Sequence, residues 1–188
     1  MTSPGTAARV PALRIAVIAL IAAAVAVALY IYGREHTPDY YVTIFGRSGE
    51  DAIALKSLLA TVVLGLAVVQ VALALWIYQK LPLAGRAPKP VGIVHRTVGI
   101  AAVIITLPIA VHCLLAYGVQ FSSLRVGIHS IAGCFFYGAF VAKLGFVHTR
   151  KLPGWVLPVT GGLLAVTIAV LWYSSSLWYY NGFSLPSL

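Results

Sequence analysis

Five long apolar stretches decide what this chain can become. They lie at about Ile15–Tyr32, Ser57–Gln79, Thr97–Gly118, Gly127–Val147 and Leu157–Tyr180. As a helix, each is long enough to cross a hydrocarbon core of ~30 Å. A chain in hydrocarbon must satisfy its own backbone hydrogen bonds, which leaves helices or a closed barrel. Barrel strands alternate lipid-facing apolar residues with polar ones, and these runs do not alternate. The prediction is an all-α fold: a polytopic membrane helix bundle of about five transmembrane helices. Its connections are short, so residues 1–188 form a single bundle domain. The composition agrees, with 61% hydrophobic and only 9% charged residues, against about a quarter charged in a soluble domain.

The charges that remain predict an orientation. Net charge is +9, but the bases are spread among connections rather than gathered on one face, so no nucleic-acid footprint is expected. Arg9 and Arg14 precede the first helix, Lys80, Arg86, Lys89 and Arg96 fill the second connection, and Arg150 and Lys151 the fourth. The positive-inside rule then puts the N-terminus in the cytoplasm and the C-terminus outside. The outer polar loop, residues 33–56, holds all four acids: Glu35, Asp39, Glu50 and Asp51. Ser48-Gly49-Glu50-Asp51 has the pattern of a capping-box start for the second helix. Pro82, Pro88 and Pro90 predict a stiff, non-helical second connection. The first run follows basic residues as a secretory signal would. It is long and lacks an evident small-residue cleavage site, so it is expected to stay as a helix. Leu157-Pro158-Val159-Thr160-Gly161 matches a sortase sorting pattern, but the basic tail such a signal needs is missing after the last run. The aromatic cluster Trp172, Tyr173, Trp178, Tyr179 and Tyr180 reads as an interfacial belt.

Four histidines lie at or inside the ends of these runs. His95 and His112 bracket the third helix, and His129 and His148 the fourth. Ionisable residues at membrane depth are expensive and point to function. The separations of 17 and 19 residues correspond to ~25 and ~28 Å along a helix. The antiparallel run back therefore matches His112 with His129 near the outer face and His95 with His148 near the inner one. Two imidazole pairs at two depths are what bis-histidine ligation of two b haems needs. If only one haem binds, it is expected between His112 and His129. Around the helix axes the histidines are offset by about 100°, and Pro108 is expected to kink the third helix. Gly99 and Gly133 each follow a histidine by four residues, and Gly145 precedes His148 by three. Such glycines leave room for a porphyrin, though they are also ordinary helix-packing devices. Arg125, Lys143, Arg96 and Arg150 lie at depths suited to haem propionates. His36 reads as a solvated loop residue. Cys113 and Cys134 read as small buried hydrophobes. A metal site built from them with His112 and His129 is a lesser alternative. Without a C-x-x-C-H motif, covalent haem attachment is excluded.

The segment His95-Arg96-Thr97-Val98-Gly99, with its continuation to His112, resembles the histidine-bearing helices of the cytochrome b561 and ferric-reductase-type di-haem membrane cytochromes. The runs His112–Gly118 and Gly133–Gly138 also resemble an actinobacterial multi-spanning membrane family. The first resemblance implies haem b as cofactor, with His95, His112, His129 and His148 as iron ligands. The second implies a bacterial inner membrane. Those cytochromes commonly spread their ligands over non-neighbouring helices, whereas all four here fall on two consecutive ones. No flavin or nicotinamide domain accompanies the bundle.

The expected function is that of a membrane-embedded b-type cytochrome moving electrons across the bilayer. Its donor would be quinol or a cytoplasmic reductant, and its acceptor an extracytoplasmic redox protein or a larger membrane complex. It would then act as an electron-transfer subunit of an oxidoreductase. The acidic loop is a docking candidate, with Glu35, His36 and Asp39 as proton acceptors. The rival is a scaffold or assembly subunit of a membrane complex, without cofactor. A transporter is disfavoured by the lack of an inverted repeat.

Overall fold

The computed structural model describes residues 4–82, 85–149 and 152–185. Arg150 and Lys151 lie outside the described residues. Five helices follow one another: α1 (Pro4–Glu35), α2 (Gly49–Ile77), α3 (Lys89–Ala116), α4 (Leu124–Val147) and α5 (Val156–Trp172). The last helix passes through a π-helical turn, Tyr173–Leu177, into a final turn at Trp178–Tyr180. All five are long and apolar enough to cross a membrane, and no strand occurs among the described residues. Large apolar side chains such as Leu20, Leu124 and Val166 project outward, as a lipid-facing surface requires.

The helices outrun the apolar stretches at several ends. α1 continues through Glu35, and α2 begins at Gly49. The polar connection therefore shrinks from the expected 33–56 to little more than His36–Ser48, and Lys56 rides on a helix. Glu50 and Asp51 in the first turn favour that early start, since carboxylates stabilise a helix N-terminus. Ser48 is the N-cap residue with extended backbone, but its side chain makes no capping hydrogen bond. Pro90 lies in the first turn of α3, where the missing N–H removes no helical hydrogen bond. α3 then runs through Pro108 to Ala116. The Leu157–Gly161 segment forms the opening turns of α5.

Spatial order differs from chain order. α1 packs on α4, α4 on α5, α5 on α2, and α2 on α3. Consecutive α3 and α4 are not major neighbours. α1 takes the place beside α4 because small residues let the two backbones approach. A Cβ on Gly138 would stand 2.7 Å from the Ala22 carbonyl oxygen, and one on Gly145 would stand 2.9 Å from Ile18 Cγ2. At the end bearing the acidic loop, Val119 N–H donates to Gly33 O (2.7 Å) and Asp39 N–H to Leu115 O (3.1 Å). Gly118 makes that close approach with φ +65°, and a Cβ there would lie 2.5 Å from Gly33 O. On the other side, Trp172 Nε1–H donates to Thr61 Oγ1 (2.9 Å), tying α5 to α2.

Candidate cofactor site between α3 and α4

The gap between α3 and α4 is bridged where Tyr137 OH reaches Thr106 O and Oγ1, both at 3.1 Å. Beside that bridge is a predominantly apolar cavity of about 150 Å³. α4 supplies His129, Gly133, Cys134 and Tyr137 to its wall, α3 supplies Cys113, and α2 supplies Ala60 and Val63. Gly133, one turn beyond His129, faces open space: a Cβ there would meet nothing within 4 Å.

The tautomer of His129 follows from its partner. Ser174 Oγ donates its one proton to Val170 O at 2.7 Å, so towards His129 Nδ1, 2.9 Å away, it can only accept. With the hydroxyl proton on that carbonyl, His129 carries its own proton on Nδ1 and a lone pair on Nε2. Nε2 makes no short hydrogen bond among the described residues, and the Leu171 carbonyl is the ring's other polar neighbour. A fixed Nδ1–H with a bare Nε2 is the arrangement of a metal-ligating imidazole. Ser174 sits in the π-helical turn, a local widening of the helix often found at functional sites. Arg125 steadies that turn, donating to Ser174 O (2.7 Å) with its guanidinium 3.8 Å over the Trp178 ring. Arg125 is thereby engaged with α5, not directed towards a propionate.

The other histidines are placed differently. Nearly buried His112 has Nε2 3.2 Å from Val42 O, to which it must donate. Its Nδ1 lone pair then accepts from Lys56 Nζ at 3.3 Å. Both nitrogens are engaged, so the depth match with His129 is not a meeting of free lone pairs. At the opposite end, His95 Nδ1 is buried without a hydrogen-bond partner, while its carbonyl accepts from the Gln70 amide of α2. His148 is the exposed C-cap of α4 and turns Nδ1–H back on Leu144 O (2.8 Å). No hydrogen bond joins His95 to His148. His36, expected to be solvated, donates to Leu115 O (3.0 Å) and stacks on Tyr32.

The glycines divide in the same way. The face of Gly99 is taken by Gln70, whose Nε2 would lie 3.2 Å from a Cβ there, and that of Gly145 by Ile18. Lys143 Nζ lies against Gly161, 3.2 Å from its would-be Cβ, and Arg96 is exposed. Cys113 and Cys134 are free thiols. With His112 and His129 they do not form a metal cluster: among the described residues, no three His, Cys, Asp or Glu side chains are grouped to hold one ion. A ring nitrogen without a short hydrogen bond thus lines the cavity at His129, whereas His95 and His148 are not joined by a hydrogen bond.

Three contributors escaped the sequence reading. Lys56 was counted with the polar segment 33–56 ahead of the apolar run, although it stands four residues before Ala60. Gln70 lies inside the second run. Ser174 belongs to the Ser174-Ser175-Ser176 triplet, whose polarity inside an apolar run was the available signal.

Bundle and site together define a polytopic, all-helical membrane protein with a cavity lined by residues of all five helices. Residues 15–187 match a family of unknown function, DUF6529, and the chain belongs to that family. No curated protein and no solved structure matches it.

Proposed function

We propose that this protein is a membrane b-type cytochrome that carries electrons through a single haem in the α3–α4 cavity. The observation carrying this reading is His129, with its proton fixed on Nδ1 by Ser174 and its Nε2 lone pair unpartnered beside an apolar, glycine-opened cavity. His129 would hold the iron. His112 would supply the opposite ligand only by giving up Lys56 or Val42. Haem b contributes reversible one-electron chemistry, and the protein contributes placement and tuning. α3 packs mainly on α2, so it is the wall that yields to a porphyrin. The distant resemblance to cytochrome b561 and ferric-reductase-type cytochromes points the same way. On the positive-inside rule the basic connections face the cytoplasm of a bacterial cell, and the cavity lies nearer the outer side. The exposed carboxylates Glu35, Asp39, Glu50 and Asp51 would then face a quinol or an extracytoplasmic redox partner.

The test is a dithionite-reduced minus oxidised spectrum of purified protein, with pyridine haemochrome stoichiometry. About one haem per chain is expected, and none in protein made with ample haem would leave the scaffold reading. Ser174→Ala removes the acceptor that orients His129. Haem affinity should fall about 10–100-fold, as for other outer-shell partners of metal ligands. Haemin titration of the apo form measures this, and unchanged affinity would remove Ser174 from the site.

A further inference from the structure

Lys56 is a half-buried cation on α2 whose partners are all uncharged. Its Nζ donates to His112 Nδ1 at 3.3 Å, lies 4.4 Å from the Tyr117 ring centroid and touches Cys113 Sγ at 3.9 Å. The four carboxylates of the chain are exposed, and none pairs with it among the described residues. A half-buried ammonium without a counter-charge is held there by a π face and a neutral imidazole. The tautomer of His112 adds to the pattern. Because Nε2–H is spent on Val42 O, the Nδ1 lone pair is turned towards Lys56 and holds its charge in place.

The position of this charge gives it a use. Lys56 stands one helical turn before Ala60, which with Val63 forms the α2 wall of the cavity, and it touches Cys113 on the α3 wall. Lys56 does not itself line the apolar cavity, but its Nζ lies behind the lining residue Cys113, on the side nearest the acidic loop. Arg125 does not compete, since it is engaged with Ser174 and Trp178.

We propose that Lys56, positioned by His112 and Tyr117, anchors the carboxylate of an amphiphile whose apolar body occupies the α3–α4 cavity. Two sources carry such a carboxylate: a haem propionate and a fatty acid. The inference shares the cavity with the haem reading but stands without haem.

The experiment titrates purified full-length protein in non-ionic detergent with four probes: haemin, haemin dimethyl ester, oleate and methyl oleate. Lys56→Gln should weaken binding of a free acid roughly tenfold or more, the effect of losing a charged hydrogen bond. The matching ester should bind both proteins alike. Lys56→Arg should stay close to wild type, which separates lost charge from misfolding. Lys56-dependent binding of haemin identifies the propionate. Lys56-dependent binding of oleate without haemin binding supports the carboxylate site and ends the haem reading. Haemin bound equally by wild type and Lys56→Gln, with no oleate binding, overturns the proposal and leaves the haem reading intact. Acid and ester bound equally well by the wild type also overturn it.

Discussion

Replacing His129 with alanine is expected to abolish the b-type spectrum of the purified protein, whereas His148→Ala leaves it unchanged. Both residues lie on α4 and both were matched to α3 histidines by depth, so the contrast isolates geometry. His129 presents an unpartnered Nε2 at the cavity wall because Ser174 fixes the proton on Nδ1. His148 caps α4 in an exposed position and hydrogen-bonds its own helix. Removing His129 takes away the ligand whose Nε2 is free of other partners, and His112 could hold the iron only by giving up Lys56 or Val42. His95→Ala should behave like His148→Ala, since His95 lies at the other end of α3 beside Gln70. The measurement is haem per chain by pyridine haemochrome in all three variants. If His95→Ala or His148→Ala each removes half the haem of a two-haem wild type, the single-site reading is wrong and the four-histidine arrangement is restored.

Some features of this outcome were legible along the chain and others were not, for physical reasons. The spans were legible because crossing hydrocarbon sets a length and a polarity that can be read residue by residue. Depth was legible for the same reason: His112 and His129 do lie towards one end, His95 and His148 towards the other. Helix ends were less so. The start of the second helix at Ser48-Gly49-Glu50-Asp51 was legible, but hydropathy, which stops at the membrane edge, left Lys56 counted with the polar connection rather than with the site. Which helices touch was illegible, since it depends on distant small residues such as Gly138 and Ala22 finding each other. That pairing brings α1 against α4 and leaves α3 to α2. The tautomer of His129 was also hidden, because Ser174 reaches it from a π-helical turn that no 3.6-residue periodicity anticipates.

Gly138→Ala should be the most destabilising of the single-methyl additions along the α1–α4 seam, by about 1–3 kcal/mol. The new Cβ would stand 2.7 Å from the Ala22 carbonyl oxygen and 3.0 Å from Ala26 Cβ. The first of these is backbone, which cannot rotate away, so α1 and α4 must part. Gly145→Ala meets the Ile18 side chain at 2.9 Å. That side chain can change rotamer, so the cost should be smaller. Gly162→Ala is the control: nothing lies within 4 Å of its Cβ, and an effect within about 0.5 kcal/mol is expected. The check is the midpoint of unfolding as the mole fraction of sodium dodecyl sulfate is raised in mixed micelles. Equal midpoints for the Gly138 and Gly162 variants would mean that this seam does not hold α1 to α4. The same titration followed in the haem spectrum tests the link to the site. α4 carries both Gly138 and His129, so a bundle loosened at α1 should release haem at lower detergent fraction, in step with the loss of structure.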